Sequence, residues 1–271
     1  MRRRPVALVL GVGLLLAAAV ALCQNAGSRG SHRAPHASPT EALAAAARSL
    51  PRPERPAFTV GRPVRLHRGD AVARFASVTR AAAGHSAPSR SADVVAELTR
   101  STQEGTTNVV LVLGQTRRAH KDWVHIRLPV LPNDRTAWVP RRVLGGYEFV
   151  HTRLIVDQKR FTATLLSGGR AVFKARVGVG RPESPTPSGE FYIRDKLSGF
   201  GNPFYGPVAY GTSARSAVLT DWPGGGFVGL HGTNEPALIP GRISHGCIRM
   251  RNEDIVRLSR LMPVGTPLTI R

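Results

Sequence analysis

Residues 244–250 read Ser-His-Gly-Cys-Ile-Arg-Met. This stretch is the strongest indication of the fold and chemistry of the C-terminal half of the chain. His231 precedes Cys247 by sixteen residues, in a Leu-His-Gly-Thr segment. A cysteine attacks carbonyl groups as its thiolate, so it needs a neighbour that accepts its proton near neutral pH. Histidine is the side chain suited to that role. The pattern therefore predicts a Cys247 nucleophile with two candidate bases, His231 and His245.

These motifs, together with Pro-Thr-Pro-Ser-Gly-Glu-Phe at residues 185–191, resemble the signature of the L,D-transpeptidases, the YkuD-type catalytic domains of bacterial cell walls. The resemblance extends over residues 147–271. It implies a mainly β fold, a barrel or sandwich of the YkuD type with one short helix. The sequence has no metal-ligand spacing, phosphate-binding glycine loop or dinucleotide fingerprint, so we expect no cofactor.

The resemblance also suggests roles for the residues of the motifs. It makes His231 the better base and implies that the Gly232 carbonyl orients its imidazole. If the 244–250 segment is extended, His245 points to the same face as Cys247 and becomes the second candidate base or a residue that shapes the site. The backbone N–H groups of Gly246 and Cys247 can face a developing oxyanion.

Three further residues are candidates for binding substrate or supporting the site. Ser244 is expected to hold its loop by hydrogen bonding. The Arg249 guanidinium can bind a substrate carboxylate at two points, although exposure by chance is an alternative in so arginine-rich a chain. Trp222, before a Pro-Gly-Gly-Gly turn, is expected to form a lid or substrate wall, or else to belong to the core.

The family resemblance implies a peptidoglycan L,D-transpeptidase. Cys247 would attack the third-residue carbonyl of a tetrapeptide stem and expel D-alanine, and an amine of a second stem would give a 3→3 cross-link. Carbapenem-type inhibitors would acylate the cysteine. The alternatives are an L,D-carboxypeptidase, a D-amino-acid exchange enzyme and, from another class, a non-catalytic wall-binding protein. A papain-like peptidase is disfavoured because the histidine precedes the cysteine here.

The charge of the chain is extreme, at +21, and only four of its 38 basic residues are lysine. Such a surface attracts polyanions, so anionic envelope polymers are possible partners, although a genome rich in G and C, which encodes arginine freely, explains the same composition. Scattered basic residues without an aromatic recognition motif argue against nucleic acid binding. We expect a monomer.

The N-terminus has the pattern of an export signal, because residues 2–4 are arginines and residues 5–22 are apolar. We assign residues 1–26 to a signal peptide or signal anchor and residues 27–57 to a flexible linker rich in proline and serine. This places the protein in the periplasm or cell wall, secreted or tethered. Cys23 is a weak candidate for lipidation. Only Cys23 and Cys247 are present, so Cys247 is expected to be a functional free thiol.

Residues 58–145 are predicted to form a small β module, similar to the SH3-like module of some actinobacterial relatives, and residues 147–271 the catalytic domain. Trp123 and Trp138 are expected in the core of the small module. Residues 91–100 show helical spacing after Ser91, and Asn252 is a candidate cap for a helix reaching residue 261. The predicted strands are residues 108–113, 123–128, 154–157, 162–166, 171–179, 190–194 and 267–270.

Overall fold

Short strands joined by glycine, proline and asparagine turns make up most of the computed structural model, which describes residues 64–65, 72–198, 202–219 and 225–271. The predicted mainly β fold is confirmed, and a single α-helix is present in this part of the chain. The first eight strands are β1 Val64–Arg65, β2 Ala73–Val78, β3 Ala82–His85, β4 Val94–Leu98, β5 Val109–Arg118, β6 Lys121–Arg127, β7 Thr136–Pro140 and β8 Leu144–Val150. The remaining elements are β9 Thr152–Asp157, β10 Thr162–Ser167, β11 Arg170–Arg176, β12 Gly178–Gly180, β13 Gly189–Ser198, β14 Val208–Arg215, β15 Phe227–His231, β16 Gly241–Ser244, β17 Ile248–Arg249, helix α1 Asn252–Ser259 and β18 Pro267–Ile270.

The first eight strands form one antiparallel sheet in the order β4-β3-β7-β6-β5-β2-β8, with β1 paired to β5. Its core contains Val110, Val124, Ile126 and Val139, which are fully or almost fully buried. Trp123 is buried as expected, whereas Trp138 is half-buried and stacks on His125 with ring centroids 4.7 Å apart. The SH3-like character of this sheet stays a prediction.

The helix predicted at residues 91–100 is wrong, because this segment contains strand β4. Its backbone pairs antiparallel with β3, from Ala82 opposite Leu98 to His85 opposite Val94. Valine is a poor helix former and a good strand former because its branched Cβ restricts χ1. Pairing with a neighbouring strand therefore prevailed over a three-residue apolar spacing.

The second sheet has ten strands in the order β11-β10-β9-β18-β13-β14-β15-β17-β12-β16. Parallel pairs β9–β18, β15–β17 and β12–β16 are embedded among antiparallel ones. Helix α1 packs Ile255 and Leu258 into the core of this sheet. Asn252 does not cap the helix, since Arg251 occupies the N-cap position without a side-chain hydrogen bond. The strand predicted at residues 171–179 is interrupted between β11 and β12.

The two edge strands of the second sheet carry basic side chains. Arg170, Lys174 and Arg176 are exposed on β11, and Arg242 is exposed on the short strand β16. In the described part of the chain, the outer backbone groups of β11 and β16 have no partner strand. These long basic side chains project from the two unpaired edges.

Both sheets belong to one compact unit, Phe58–Arg271. A small apolar cluster joins them, and inside it the Tyr192 hydroxyl donates to the Val109 carbonyl over 3.1 Å. The predicted division at residues 145–147 lies within β8, which pairs with β2 of the first sheet, and it stays a prediction. No helix in the described ranges is long and apolar enough to cross a membrane. The predicted signal segment with Cys23 and the linker lie outside these ranges.

Gly265 gives a test of the junction between the sheets. It has φ +85°, and a Cβ there would overlap the ring of Phe75. We expect Gly265→Ala to lower the free energy of unfolding by about 2–4 kcal/mol, measured by denaturant titration, because backbone strain and steric overlap add. Gly169→Ala is the matched control, since Gly169 has φ +81° and nothing within 4 Å of a Cβ. Equal losses in the two variants would show that the Phe75 contact is unimportant.

Candidate active site

Strand β15 positions the site through the alternation of its side chains. Leu230 is buried in the core cluster, so Gly229 and His231 lie on the opposite face of the sheet. Strand β17 runs parallel beside it, with His231 opposite Arg249. A Cβ built on Gly229 would lie 3.7 Å from both the Cys247 Sγ and the His231 Cδ2. The predicted nucleophile and the predicted base therefore flank a position that has no side chain.

The His231 imidazole is held in one tautomer. Its Nδ1 lies 2.6 Å from the Gly232 carbonyl oxygen, which can only accept, so Nδ1 carries the proton. The other nitrogen, Nε2, is left with a lone pair, as a base requires. The rings of Tyr205 and Phe204 lie beside the imidazole, with centroids 5.1 and 5.9 Å away. These contacts fix the ring orientation without a carboxylate.

Burial keeps the imidazole neutral. Desolvation lowers the pKa of His231 to about 4, because His231 is only 2% exposed. The Gly232 hydrogen bond opposes this effect, and the positive charge of Arg249 reinforces it. The side chain is therefore a neutral proton acceptor at every pH above about 4.

The Cys247 thiol is also neutral at rest. Burial raises the pKa of the thiol, while a hydrogen bond from the Gly229 N–H to Sγ, at 3.4 Å, and the charge of Arg249 act in the opposite direction. A raised thiol pKa and a lowered imidazole pKa together disfavour a resting thiolate–imidazolium pair. The geometry instead suits transfer of the proton as the sulfur attacks.

The turn before Cys247 is closed by Ser244. Its Oγ donates to the Cys247 carbonyl over 2.5 Å and accepts from the Gly246 N–H at 3.1 Å. Gly246 has φ +117°, a conformation that favours glycine. Thr186 Oγ1 fixes the same turn by donating to the Gly246 carbonyl over 2.7 Å. The Gly246 N–H, predicted as an oxyanion donor, is thus engaged by Ser244, and the Cys247 N–H is the donor that the turn leaves for an oxyanion.

Arg249 is buried rather than exposed by chance. It is 4% exposed, its Nη1 donates to Glu235 Oε2 over 2.9 Å, and its guanidinium lies 4.4 Å from the centroid of the Phe204 ring. Its Nε is buried without a hydrogen-bond partner. The residue predicted to bind a substrate carboxylate is therefore already in contact with a carboxylate of the protein.

His231, Cys247 and Arg249 line one open cavity. His245 is exposed at this cavity, while Trp222 lies outside the described residues. The cavity combines apolar walls with a few polar groups, as small-molecule sites commonly do. Its lining consists of Phe204, Tyr205, Ser216, Leu219, Gly226, Phe227, Val228, His231, Ser244, His245, Gly246, Cys247 and Arg249.

Several residues at the site were not predicted from sequence. Asn252 Oδ1 accepts the Thr233 N–H at 2.9 Å and so holds the segment that follows His231. Thr186 lies in the proline-rich motif at residues 185–191. The motif identified this segment from the sequence, but it did not indicate that the Thr186 hydroxyl donates to the Gly246 carbonyl. Gly229 contacts Cys247, Glu235 contacts Arg249, and aromatic side chains line the cavity. These residues come from separate elements, and no local pattern connects them with the cysteine.

The C-terminal sheet is similar to a known protein family. Residues 151–270 match the YkuD family model, described as the L,D-transpeptidase catalytic domain. YkuD of Bacillus subtilis strain 168, provisionally named an L,D-transpeptidase, is 38% identical over 109 residues, 40% of this chain and 59% of that protein. YbiS of Escherichia coli K12, provisionally named likewise, is 52% identical over 42 residues, 16% of this chain and 14% of that protein. This chain spans about three fifths of the length of the curated relatives that match over more than 100 residues.

Solved L,D-transpeptidase structures also match part of this chain. The catalytic domain of the Enterococcus faecium L,D-transpeptidase matches at 26% identity, with 44% of this chain, 96% of that chain and a TM-score of 0.35. L,D-transpeptidase 3 from Mycobacterium tuberculosis, in complex with a faropenem-derived adduct, matches at 16% identity, with 60% of this chain, 91% of that chain and a TM-score of 0.38. The match of residues 151–270 to the family model confirms the expected resemblance for that region, and an actinobacterial type stays a prediction.

The buried imidazole predicts an unusual pH dependence. Protonation of His231 removes the proton acceptor, so acylation of Cys247 should fall as the pH drops through about 4, and not through the ordinary histidine pKa of 6.5. We expect the second-order rate constant for acylation by a carbapenem, followed by intact-mass spectrometry, to have no acid limb between pH 5 and 7. Circular dichroism at each pH controls for unfolding. An acid limb centred near pH 6.5 contradicts this assignment.

Proposed function

We propose that the YkuD-type L,D-transpeptidase catalytic domain formed by residues 151–270 makes 3→3 cross-links between peptidoglycan stem peptides through a thioester on Cys247. The observation that carries the proposal is the His231–Gly232 hydrogen bond, which leaves Nε2 as a base in the cavity that also contains Cys247. A free thiol, an oriented neutral imidazole and an apolar cavity are the requirements for acyl transfer by a cysteine.

The first half of the reaction acylates the cysteine. The Cys247 thiol gives its proton to His231 Nε2 as the sulfur attacks the carbonyl of the third residue of a tetrapeptide stem. The Cys247 N–H donates to the resulting oxyanion, and a preorganised donor of this kind lowers a barrier by about 3 kcal/mol. As the C–N bond breaks, the imidazolium returns the proton to the leaving nitrogen. D-Alanine departs and a thioester remains.

The second half transfers the acyl group to an amine. His231 Nε2 takes a proton from the amine of a neighbouring stem as its nitrogen attacks the thioester carbonyl. Collapse of the second tetrahedral intermediate breaks the C–S bond, and the proton passes to the sulfur. The enzyme returns to the neutral thiol–imidazole pair that burial favours. Water in place of the amine would make the protein an L,D-carboxypeptidase, and a free D-amino acid would make it an exchange enzyme.

Arg249 is proposed to receive a carboxylate of the donor stem. It lines the cavity, and its guanidinium can hold a carboxylate in two-point fashion. The wider cationic surface is proposed to hold the protein near anionic envelope polymers. Export to the periplasm or cell wall is part of this proposal and is supported by the arginines at residues 2–4 and the apolar run at residues 5–22.

The test uses intact-mass spectrometry of the protein incubated with disaccharide-tetrapeptide and, separately, with a carbapenem. We expect covalent adducts on the wild type, none on Cys247→Ala, and cross-linked dimer together with released D-alanine. Loss of acylation in His231→Asn, with a melting temperature near the wild type, would assign the base. Tripeptide without dimer would replace the proposal by a carboxypeptidase. Absence of both adducts would leave a non-catalytic wall-binding protein.

Glu235 offers a second test, of the carboxylate subsite. Its side chain is about half exposed while that of Arg249 is buried, so the ion pair joins a solvent-accessible carboxylate, which water can screen, to a buried guanidinium. Glu235→Gln removes a carboxylate that competes with the substrate, and we expect KM for the tetrapeptide to fall about threefold with kcat unchanged. Arg249→Met should raise KM. A rise of KM in Glu235→Gln would show that the pair holds the guanidinium in place instead of competing for it.

A further inference from the structure

The first sheet contacts the second at the end of strand β14. The side-chain amide of Asn133, in the turn before β7, makes two hydrogen bonds with the backbone of Arg215. Its Nδ2 donates to the Arg215 carbonyl over 2.8 Å, and its Oδ1 accepts the Arg215 N–H at 3.0 Å. One amide thus pairs with both backbone groups of a residue 82 positions away, as a neighbouring strand would.

The backbone of Arg215 lies where the pairing of β14 with β15 is irregular. The register between β14 and β15 shifts between Gly211 and Arg215, so the pair Arg215–Phe227 stands beyond an irregularity in the ladder. A bulge leaves part of a ladder unpaired and bends the strand. The contact with Asn133 supplies fixed hydrogen bonds where those of the sheet are interrupted.

Phe227 of this pair lines the cavity that contains Cys247. The Arg215 guanidinium lies 4.6 Å from the centroid of the Phe227 ring and also donates to the Gly225 carbonyl. The neighbouring Ser216 N–H donates to the Gly226 carbonyl over 2.8 Å. Phe227, Gly226 and Ser216 all line the cavity of Cys247. Movement of the Arg215 backbone would therefore displace one side of that cavity.

A second contact from the first sheet reaches Arg194 of β13, which packs on the same ring. Arg194, which is 4% exposed, stacks on Phe227 with its guanidinium carbon 4.0 Å from the centroid. Its Nη2 lies 3.9 Å from Glu104 Oε2, in the loop before β5. Two loops of the first sheet thus contact the two arginines that pack on Phe227.

We propose that Asn133 is a positioning residue for donor-substrate binding, acting through Arg215 to hold the Phe227 wall of the cavity. In this role of Asn133, the first sheet contributes to the substrate site of the enzyme. This inference rests on the proposed function, because the donor is the tetrapeptide stem that acylates Cys247. A stem peptide contacts the wall, whereas a very small reagent reaches the sulfur without it.

The test compares Asn133→Ala with Tyr192→Phe in the full chain. Tyr192→Phe also removes a hydrogen bond between the sheets, the one to the Val109 carbonyl, but Tyr192 does not line the cavity. We measure melting temperature, alkylation of Cys247 by iodoacetamide, and acylation by disaccharide-tetrapeptide. We expect Asn133→Ala to lower the acylation constant about tenfold through KM, with alkylation unchanged, and Tyr192→Phe to acylate like the wild type.

Asn133→Asp keeps the acceptor for the Arg215 N–H and loses the donor, so it should fall between the wild type and the alanine variant; it replaces Asn133→Ala if that variant fails to fold. Equal losses of acylation in Asn133→Ala and Tyr192→Phe, or none in either asparagine variant, would overturn the inference while leaving the transpeptidase intact. A wild type that is alkylated by iodoacetamide but never acylated by the stem overturns the proposed function and the inference with it.

Discussion

The alternation of side chains along β15 is the constraint on which the site depends. A strand sends neighbouring residues to opposite faces, so the burial of Leu230 in the core requires Gly229 and His231 to face away from it. Parallel pairing with β17 then sets Arg249 beside His231 and brings the turn containing Cys247 over Gly229. A register slip of one residue would exchange the core and the site faces. The same hydrogen bonds thus secure both the stability of the sheet and the relative positions of His231 and Cys247.

Electrostatics at the site follow from this arrangement. Residues on the active face are covered by the aromatic rings of Phe204 and Tyr205 and by the turn from Ser244 to Cys247, so the imidazole and the thiol are both desolvated. Each then prefers its neutral form. A cysteine kept as a thiol is less prone to oxidation than a standing thiolate. In the proposed reaction it becomes reactive when a bound carbonyl allows the proton to move.

Sequence reasoning identified those features whose chemistry lies in a local pattern. Cys247, His231 and Gly232 stand in two short motifs. The structure brings Cys247 and His231 to one cavity and the Gly232 carbonyl to the His231 imidazole. Segments that alternate with period two, such as β6, were predicted as strands because the pattern and the pairing agree. The helix predicted at residues 91–100 was wrong because three apolar residues at helical spacing are a weaker signal than the pairing of β4 with β3. That pairing cannot be seen in the local sequence. Asn252 was misassigned for a similar reason: its amide oxygen has a long-range partner, the Thr233 N–H, in place of the local one.

The basic edge strands have a consequence for the protein's behaviour at high concentration. An unpaired strand edge is a template for pairing with another molecule, and charged side chains, lysine above all, are a common means by which natural sheets prevent it. In the second sheet, Arg170, Lys174 and Arg176 on β11 and Arg242 on β16 place positive charge along both edges. Two copies that approach edge to edge therefore repel each other. These four edge charges therefore disfavour edge-to-edge pairing of the sheet, and high salt, which screens the repulsion, weakens their effect.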